Sequence, residues 1–224
     1  MKKKVTNKKI KWFQDNLIEW FERNGRKFPW RSKSVSTYGK IVSEVLLQRT
    51  KAETVAVFYK IFIGKYPSWK KLAMAREKDL EKFLQPIGLW RQRSKSLKKL
   101  ANELARRNGR FPKRKEEVER LPGVGQYITN AILLFCHKQP QPLIDVNMSR
   151  LLERFFGPRR LADIRYDPYL QALSSKVINY KSPVTMNWAI LDFAATVCKS
   201  RRPFCNQCFL RQKCRYFTKK NKKT

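Results

Sequence analysis

The chain has 224 residues, enough to bury a substantial core in one or two domains. It carries 51 lysine and arginine residues against 17 aspartate and glutamate residues, which gives a formal net charge of +34 at neutral pH. A charge of this size favours a polyanionic partner, although ribosome binding, a membrane surface or a merely solvated lysine-rich exterior would also fit it. No apolar run approaches the about 20 residues that cross a bilayer, and MKKKVTNKKIKWF lacks the uninterrupted apolar segment of a secretion signal. We therefore expect an intracellular protein of the cytoplasm or nucleoid that does not bind membranes.

The first helix is predicted by apolar residues at helical spacing. Residues 1–9 form a basic tail in this interpretation, and Ile10, Phe13 and Leu17 then begin an amphipathic helix that ends near Asn24-Gly25. The segment Phe28-Pro29-Trp30-Arg31 follows, and a buried aromatic corner is its simplest interpretation.

Further helices follow at regular intervals, and no strand-like alternation is sustained between them. Thr50 and Glu53 have the spacing of a capping box that would open one of these helices. Asn108-Gly109 ends a basic helix that follows the corner Ile87–Arg93, and His137 is expected near a helix end. The sequence predicts an all-α fold, with the remaining helices over residues 38–48, 51–63, 79–84, 116–120, 148–156, 168–179, 186–197 and from 126 onward.

The segment Leu121-Pro122-Gly123-Val124-Gly125 predicts a short glycine turn between two helices. Glycines allow tight backbone geometry, and the helix after the turn, with Ile128 and Ile132 on one side, would point its first N–H groups outward. Such a helix start can hold an anion, most naturally a phosphate. An ordinary helix–loop–helix corner is the alternative for these glycines alone.

Four cysteines near the C-terminus have the spacing of a metal centre. Thiolates in a C-x6-C-x2-C-x5-C arrangement can surround one metal site, and on spacing alone structural zinc and an iron–sulfur cluster are equally compatible. Disulfides are not expected inside the cell. Basic residues crowd this segment and suit phosphate contact, whereas Cys136 lies in an apolar helix and is expected to be core. The four predicted ligands are Cys198, Cys205, Cys208 and Cys214.

The glycine turn, Asp145 located 20 residues after Gly125, and the cysteine cluster together resemble the helix-hairpin-helix DNA glycosylases that carry an iron–sulfur cluster. This family includes endonuclease III, the MutY adenine glycosylases and thermophile thymine-mismatch glycosylases. The resemblance covers roughly residues 10–215. It implies a [4Fe–4S] cluster on the four cysteines and a monomer that acts on double-stranded DNA.

The resemblance also implies a two-lobed helical fold. Residues 1–34 and 141–224 would form the lobe that carries the cluster. Residues 35–140 would form a six-helix, barrel-like lobe with the helix-hairpin-helix at about 115–136.

Base removal from a duplex requires that the nucleotide be extruded, and cleavage of the glycosidic bond builds positive charge on the sugar. The resemblance assigns the carboxylate that faces this charge to Asp145, whose alternative role is to cap the next helix. It places Glu44, in SEVLLQRT, towards the base, where it would protonate or hydrogen-bond the leaving group and position water. It places Arg31, in FPWR, near the same pocket.

Tyr127 stands where bifunctional relatives have a lysine, so the resemblance implies a monofunctional enzyme without Schiff-base chemistry. A wedge must fill the stack that the extruded nucleotide leaves, and Gln48, Leu89 and Trp90 are the candidates. The full set of implied DNA-binding residues is Arg31, Gln48, Arg49, Leu89, Trp90, Gln92, Gly123, Gly125 and Asn147.

The base that is removed is suggested by departures from MutY. The segment GLWRQRSKSL lacks the GLGYYARAR pattern, Gln48-Arg49 replace the usual paired glutamines, and the chain ends soon after the cluster without the extra MutY domain. GLxxQR and the leucine pair before Arg49-Thr50 resemble the thymine/uracil–guanine mismatch enzymes. The resemblance therefore favours thymine or uracil opposite guanine, with adenine opposite guanine or 8-oxoguanine, or another modified base, as the alternatives. A non-catalytic DNA-binding cluster protein belongs to a different class, and the joint presence of Glu44, Tyr127 and Asp145 argues against it.

Overall fold

The computed structural model describes residues 5–220, and over this range it contains α-helices and short 3-10 segments but no β-strand. The all-α prediction is confirmed. None of the helices in the described range combines the length and the apolar character that a membrane span requires. The helices are α1 Asn7–Asn24, α2 Thr37–Leu47, α3 Ala52–Lys65, α4 Trp69–Met74, α5 Glu77–Leu84, α6 Trp90–Arg106, α7 Lys115–Glu119, α8 Gln126–His137, α9 Val146–Phe156, α10 Pro168–Ile178, α11 Pro183–Thr196 and α12 Arg215–Lys220.

The chain divides into two units, one formed by Met1–Arg26 with Pro140–Thr224 and the other by Lys27–Gln139. The sequence placed the first boundary after residue 34, eight residues later than the structure does. The reason is the aromatic segment at residues 28–31. Trp30 is buried in the second unit, where its ring lies edge-on to Tyr59 with 5.7 Å between centroids.

Helix α1 begins earlier than its apolar spacing predicts. The Thr6 hydroxyl accepts a hydrogen bond from the Lys9 amide at 3.3 Å and caps the helix, so residues 7–9 are helical and not a basic tail. The Lys9 ammonium donates to the Phe155 carbonyl at 3.2 Å. The tail predicted at residues 1–4 lies outside the described residues.

The core of the first unit is built from the apolar faces of α1, α9, α10 and α11. On α1 the buried residues recur at positions 10, 13, 14 and 17, the spacing of one helix face. Phe13 contacts the rings of Phe155 and Phe156 at centroid distances of 4.8 Å and 5.2 Å. Gln14 is buried among these apolar groups, and its amide donates to the Val177 carbonyl at 2.9 Å, near the C-terminal end of α10.

The second unit contains seven α-helices where the sequence predicted six. The additional helix is the short α4, which Ser68 caps by accepting a hydrogen bond from the Lys71 amide at 3.3 Å. Helix α2 packs against α8, and α6 packs against α4 and α5. Although α6 is rich in basic residues, one face of it is apolar and buried, through Leu97, Leu100, Ala101 and Leu104.

The capping box predicted at Thr50 is wrong. Helix α3 begins after Lys51, and no side chain caps it. The Thr50 hydroxyl instead donates to the Ile87 carbonyl at 3.0 Å and accepts a hydrogen bond from Arg93 at 3.0 Å. A long-range contact has therefore displaced the local interaction that the sequence spacing indicated.

Candidate functional site

The two glycines of the predicted turn meet different requirements. Gly123 has a φ of +76°, and a Cβ added there would lie 3.1 Å from the Ser96 Cβ on α6. Both facts demand a residue without a side chain. Gly125 has a φ of −98°, which any residue adopts, and an added Cβ would meet nothing within 4 Å. The fold therefore needs the first glycine, whereas the second leaves open space at the start of α8.

Helix α8 begins directly after this open space. Gly125 is its N-cap residue, and no side chain caps the helix start. A 12-residue helix presents N–H groups and the positive end of its dipole at this point. The turn and α8 thus have the form that the sequence predicted for a phosphate site.

Glu44 and Tyr127, which are 83 residues apart in the chain, meet within the second unit. Glu44 lies on α2 with only 4% of its surface exposed, and Tyr127 lies on the first turn of α8. The Tyr127 hydroxyl donates to Glu44 Oε2 at 2.9 Å. A buried carboxylate requires a hydrogen-bond partner, and here the partner comes from the helix that follows the glycine turn.

Asp145, in the other unit, caps α9 as its alternative role predicted. Its Oδ1 accepts from the amides of Asn147 at 2.9 Å and Met148 at 2.7 Å, while its Oδ2 accepts from Asn147 Nδ2 at 2.7 Å. Burial raises the pKa of the Asp145 carboxyl above its ordinary value, and these hydrogen bonds oppose the rise. The carboxylate is therefore held in a fixed direction by three donors.

The network continues from Asp145 to the first cysteine of the cluster motif. Asn147 Oδ1 accepts from Arg150 Nη2 at 3.0 Å, and Arg150 Nε donates to the Cys198 carbonyl at 3.0 Å. Asn147, predicted to bind DNA, thus uses its side-chain amide within the protein. The sequence analysis missed Arg150, because its position on α9 does not reveal contacts with a segment about 48 residues further on.

The four cysteines line one cavity together with apolar side chains and the arginines Arg154 and Arg211. The Arg154 guanidinium donates to the carbonyls of Lys199 and Ser200, both at 2.7 Å. Its Nη1 also lies 3.5 Å from Cys198 Sγ. The lining contains no histidine, aspartate or glutamate, so all four candidate ligands are sulfur.

Among residues 5–220, no group of three or more histidine, cysteine, aspartate or glutamate side chains is arranged to hold a metal ion. Burial raises the pKa of the Cys208 thiol to about 11, so thiolates here need a compensating positive centre.

Among the remaining predicted DNA-binding residues, Gln48 and Arg49 lie in the loop before α3, Leu89 lies in the loop before α6, and Trp90 and Gln92 lie on the first turn of α6. Gln48, Arg49, Leu89 and Gln92 are exposed, and Trp90 is half-buried with the Arg91 guanidinium over its ring at 4.4 Å. Arg31 is half-buried and lies over the Phe28 ring at 5.0 Å.

Comparison with known proteins agrees with this set of features. The family model described as HhH-GPD superfamily base excision DNA repair protein matches residues 42–184. The chain is 35% identical to the thymine-DNA glycosylase of Aeropyrum pernix over 93% of its own length and 96% of that protein. It is 35% identical to the thymine/uracil-DNA glycosylase of Pyrobaculum aerophilum over 88% of its length and 87% of that protein.

A solved structure of a thermostable thymine-DNA glycosylase has a similar fold. It superposes with a TM-score of 0.87 at 29% identity, over 96% of this chain and 100% of that one.

The two glycines can be separated by substitution. We expect Gly123→Ala to lower the free energy of unfolding by about 1–3 kcal/mol, because the side chain meets Ser96 in a left-handed conformation. We expect Gly125→Thr to leave the melting temperature unchanged, because threonine caps a helix about as well as glycine. Its affinity for duplex DNA should nevertheless fall about 10-fold, as for one lost hydrogen bond to a charged group.

Thermal unfolding and fluorescence anisotropy with a labelled duplex measure the two effects. Gly64→Thr is the matched control, since an added Cβ at Gly64 on α3 also meets nothing within 4 Å. Equal DNA affinity for Gly125→Thr, Gly64→Thr and the wild type would contradict the phosphate site at the start of α8.

Proposed function

We propose, from the premise that the chain belongs to the HhH-GPD superfamily of base excision DNA repair proteins, that it removes thymine or uracil mispaired with guanine without cutting the DNA strand. The protein is a DNA glycosylase, as the family match and the two archaeal relatives at 35% identity establish. The mispaired base and the monofunctional chemistry are the proposal. The observation that carries it is the hydrogen bond from Tyr127 to Glu44, at the place where bifunctional relatives have a lysine.

Electrostatic attraction between the basic protein and DNA would be the first step of binding. An excess of 34 positive charges attracts duplex DNA whatever its sequence, and the released counterions make this attraction steeply dependent on salt. The start of α8 supplies backbone N–H groups for a phosphate, next to the open space at Gly125. The target nucleotide must then leave the stack before any group can act on its glycosidic bond.

Glu44 and Tyr127 would act on the base and on the attacking water. Thymine and uracil can leave as anions stabilised by their two carbonyl groups, so they need hydrogen-bond donors more than a strong acid. The Tyr127 hydroxyl fixes the Glu44 carboxylate by donating to its Oε2, and the carboxylate would accept a proton from the attacking water. The phenol cannot condense with the sugar aldehyde as an amine does, so the abasic strand would be left intact.

Asp145 would stabilise the sugar as the glycosidic bond breaks. The sugar gains positive charge in the transition state, and a fixed carboxylate lowers the energy of that charge. Three hydrogen bonds favour the charged form of Asp145 and fix its direction. Its capping role and its proposed catalytic role are compatible, since the hydrogen bonds that cap α9 also favour the charged carboxylate.

A [4Fe–4S] cluster is the metal centre that the family resemblance favours for the cysteine cavity. Four sulfur ligands line the cavity without a carboxylate or imidazole, which suits such a cluster. Cys198, Cys205, Cys208 and Cys214 would each bind one iron. When bound, the cluster would fasten residues 198–214 by iron–thiolate bonds.

A panel of duplexes tests the proposed base. We expect base release from T:G and U:G pairs and little from A:G or A:8-oxoguanine pairs. Asp145→Asn should lose on the order of 10²-fold or more of the single-turnover rate, because the charge facing the cation is gone. Asparagine caps a helix as well as aspartate does, so the fold should keep its stability.

Asp163→Asn is the matched control for the lost charge, since Asp163 is paired with Arg165 at a surface turn. Release of adenine with none of thymine or uracil would reject the proposed base. Wild-type rates in Asp145→Asn would reduce Asp145 to a helix cap.

The monofunctional mechanism is tested by borohydride. The wild type should give strand breaks only after alkali or heat, and borohydride should trap little protein on DNA. Tyr127→Lys should add trapping and nicking, because it places an amine at the lysine position of bifunctional relatives. The control is Tyr166→Lys, which adds the same charge at a side chain that is 70% exposed.

Gel electrophoresis of the reduced mixtures at matched salt measures the trapped fraction. Efficient trapping by the wild type, coupled to base release, would show that another amine of the protein acts as nucleophile.

The metal centre is tested on protein purified without oxygen. We expect brown protein with broad absorbance near ~400 nm and about four irons per chain. Cys208→Ser should lose iron and stability together, whereas Cys136→Ser should retain the iron, because Cys136 lies on α8 in the other unit. Stoichiometric zinc without iron in the native protein would show a zinc site instead.

A further inference from the structure

Arg93 on α6 is a buried cation whose hydrogen bonds all go to two loops. It is 4% exposed, although arginine is rarely buried to this extent. Its Nη1 donates to the carbonyls of Ile87, at 3.1 Å, and Gly88. Its Nη2 donates to the Gln48 carbonyl at 2.7 Å and to the Thr50 hydroxyl at 3.0 Å. One end of the guanidinium thus holds the loop before α6, and the other end holds the loop before α3.

Each loop contains a residue in the left-handed conformation directly after a carbonyl that Arg93 binds. Arg49 follows Gln48 and has a φ of +57°, and Leu89 follows Gly88 and has a φ of +49°. A residue with a side chain is uncommon in this region and stays there only where its surroundings fix it. The guanidinium supplies that fixation to both loops at once.

Two of the three predicted wedge residues, Gln48 and Leu89, lie in these loops, and Arg49 beside Gln48 was predicted to bind DNA. Gln48 and Arg49 are exposed, and Leu89 is 42% exposed although it is a large apolar residue. The direction in which Leu89 points follows from its left-handed backbone, which in turn is fixed by the hydrogen bond at Gly88. The buried cation therefore controls the presentation of exposed groups that it does not itself touch.

We propose that Arg93 is the positioning residue that makes the 48–50 and 87–89 loops one rigid wedge, so that Gln48 and Leu89 enter the duplex together when a nucleotide is extruded. This inference rests on the proposed function only in requiring extrusion, and not on which base is removed. Thr50 completes the wedge, since its hydroxyl accepts from Arg93 and donates to the Ile87 carbonyl at 3.0 Å.

The planar guanidinium suits this role and an ammonium does not. Its donors form a rigid fork that reaches two loops in one plane, whereas a lysine ammonium is a single point at the end of a flexible stem. Burying a cation without an opposite charge is costly, and an apolar side chain could fill the same space more cheaply. The presence of a buried arginine at position 93 is explained if this residue maintains the geometry of both loops.

The experiment follows wedge insertion on a duplex that contains a tetrahydrofuran abasic-site analogue beside 2-aminopurine. The wild type should unstack the 2-aminopurine and raise its fluorescence. Arg93→Met should lose most of this rise and on the order of 10²-fold in single-turnover base release, the cost of misplaced groups at a reacting centre. Arg93→Lys should recover only a small part of either, and Thr50→Val should show a smaller loss of both.

Arg106→Met is the matched control, because it removes the same charge from the same helix at a side chain that is 78% exposed. The affinity of Arg93→Met for undamaged duplex should match that of Arg106→Met, which separates wedge insertion from phosphate binding. Thr50→Val removes the hydroxyl with little change in volume, so it decides the question if the Arg93 variants do not fold.

The inference would be overturned if folded Arg93→Met kept the wild-type fluorescence rise and the wild-type rate of base release. If the Arg93 variants do not fold, the same result with Thr50→Val would overturn it. Absence of any rise with the wild type would overturn it as well. Loss of the rise in the variants, with no release of thymine or uracil by the wild type, would support the wedge and reject only the proposed base.

Discussion

The role that we propose for Asp145 requires a charged carboxylate, yet the burial of this side chain penalises charge. Burial alone raises its pKa towards the neutral form, and the first turn of α9 counteracts this with two backbone N–H groups. Asn147 adds a third donor. Because the donors are part of a helix, they do not need to reorganise when charge develops on the substrate, which is the condition for electrostatic catalysis.

Arg93 is a buried charge that follows a similar rule, since it donates to carbonyls and to a hydroxyl. A direct ion pair would neutralise such groups, whereas dipoles fix them and leave their charge effective. Arg150 illustrates the difference, because it acts on Asp145 through Asn147 and not through a direct salt bridge. Asp192 is the exception, since its buried carboxylate pairs directly with Arg26 and serves structure.

The helices could be predicted from the sequence, because apolar spacing and the glycine turn are local signals, whereas the catalytic roles of Glu44, Tyr127 and Asp145 follow from the family resemblance and stay a prediction. The faces of α1 and α6 show this most clearly, since their buried positions follow the helical period. The roles of Thr50, Arg93 and Arg150 could not be predicted in this way. Thr50 has the spacing of a capping residue, but its hydroxyl bonds to Ile87, 37 positions away. Arg93 looked like one more basic residue of an exposed helix, and only the packed structure shows that it is buried.

The charge of the protein restricts where its specificity can arise. Attraction between a +34 chain and phosphates does not depend on base sequence, so it increases binding to correct and mismatched duplexes alike. Ion pairs between exposed side chains, such as Glu19 with Arg23, are local and contribute about 0.2–1 kcal/mol each. They therefore change the attraction between the protein and the phosphates very little. The protein must therefore distinguish mismatched from correct base pairs after binding, in the steps where a base leaves the stack and its glycosidic bond breaks. Extruding a mispaired base requires less free energy than extruding a paired one. With a rigid wedge that stabilises the extruded state, the fraction of extruded nucleotides would therefore be larger at a mispair than at a normal pair. In the mechanism that we propose, Asp145 on α9 and the loops bound by Arg93 act in these later steps and not in the initial attraction.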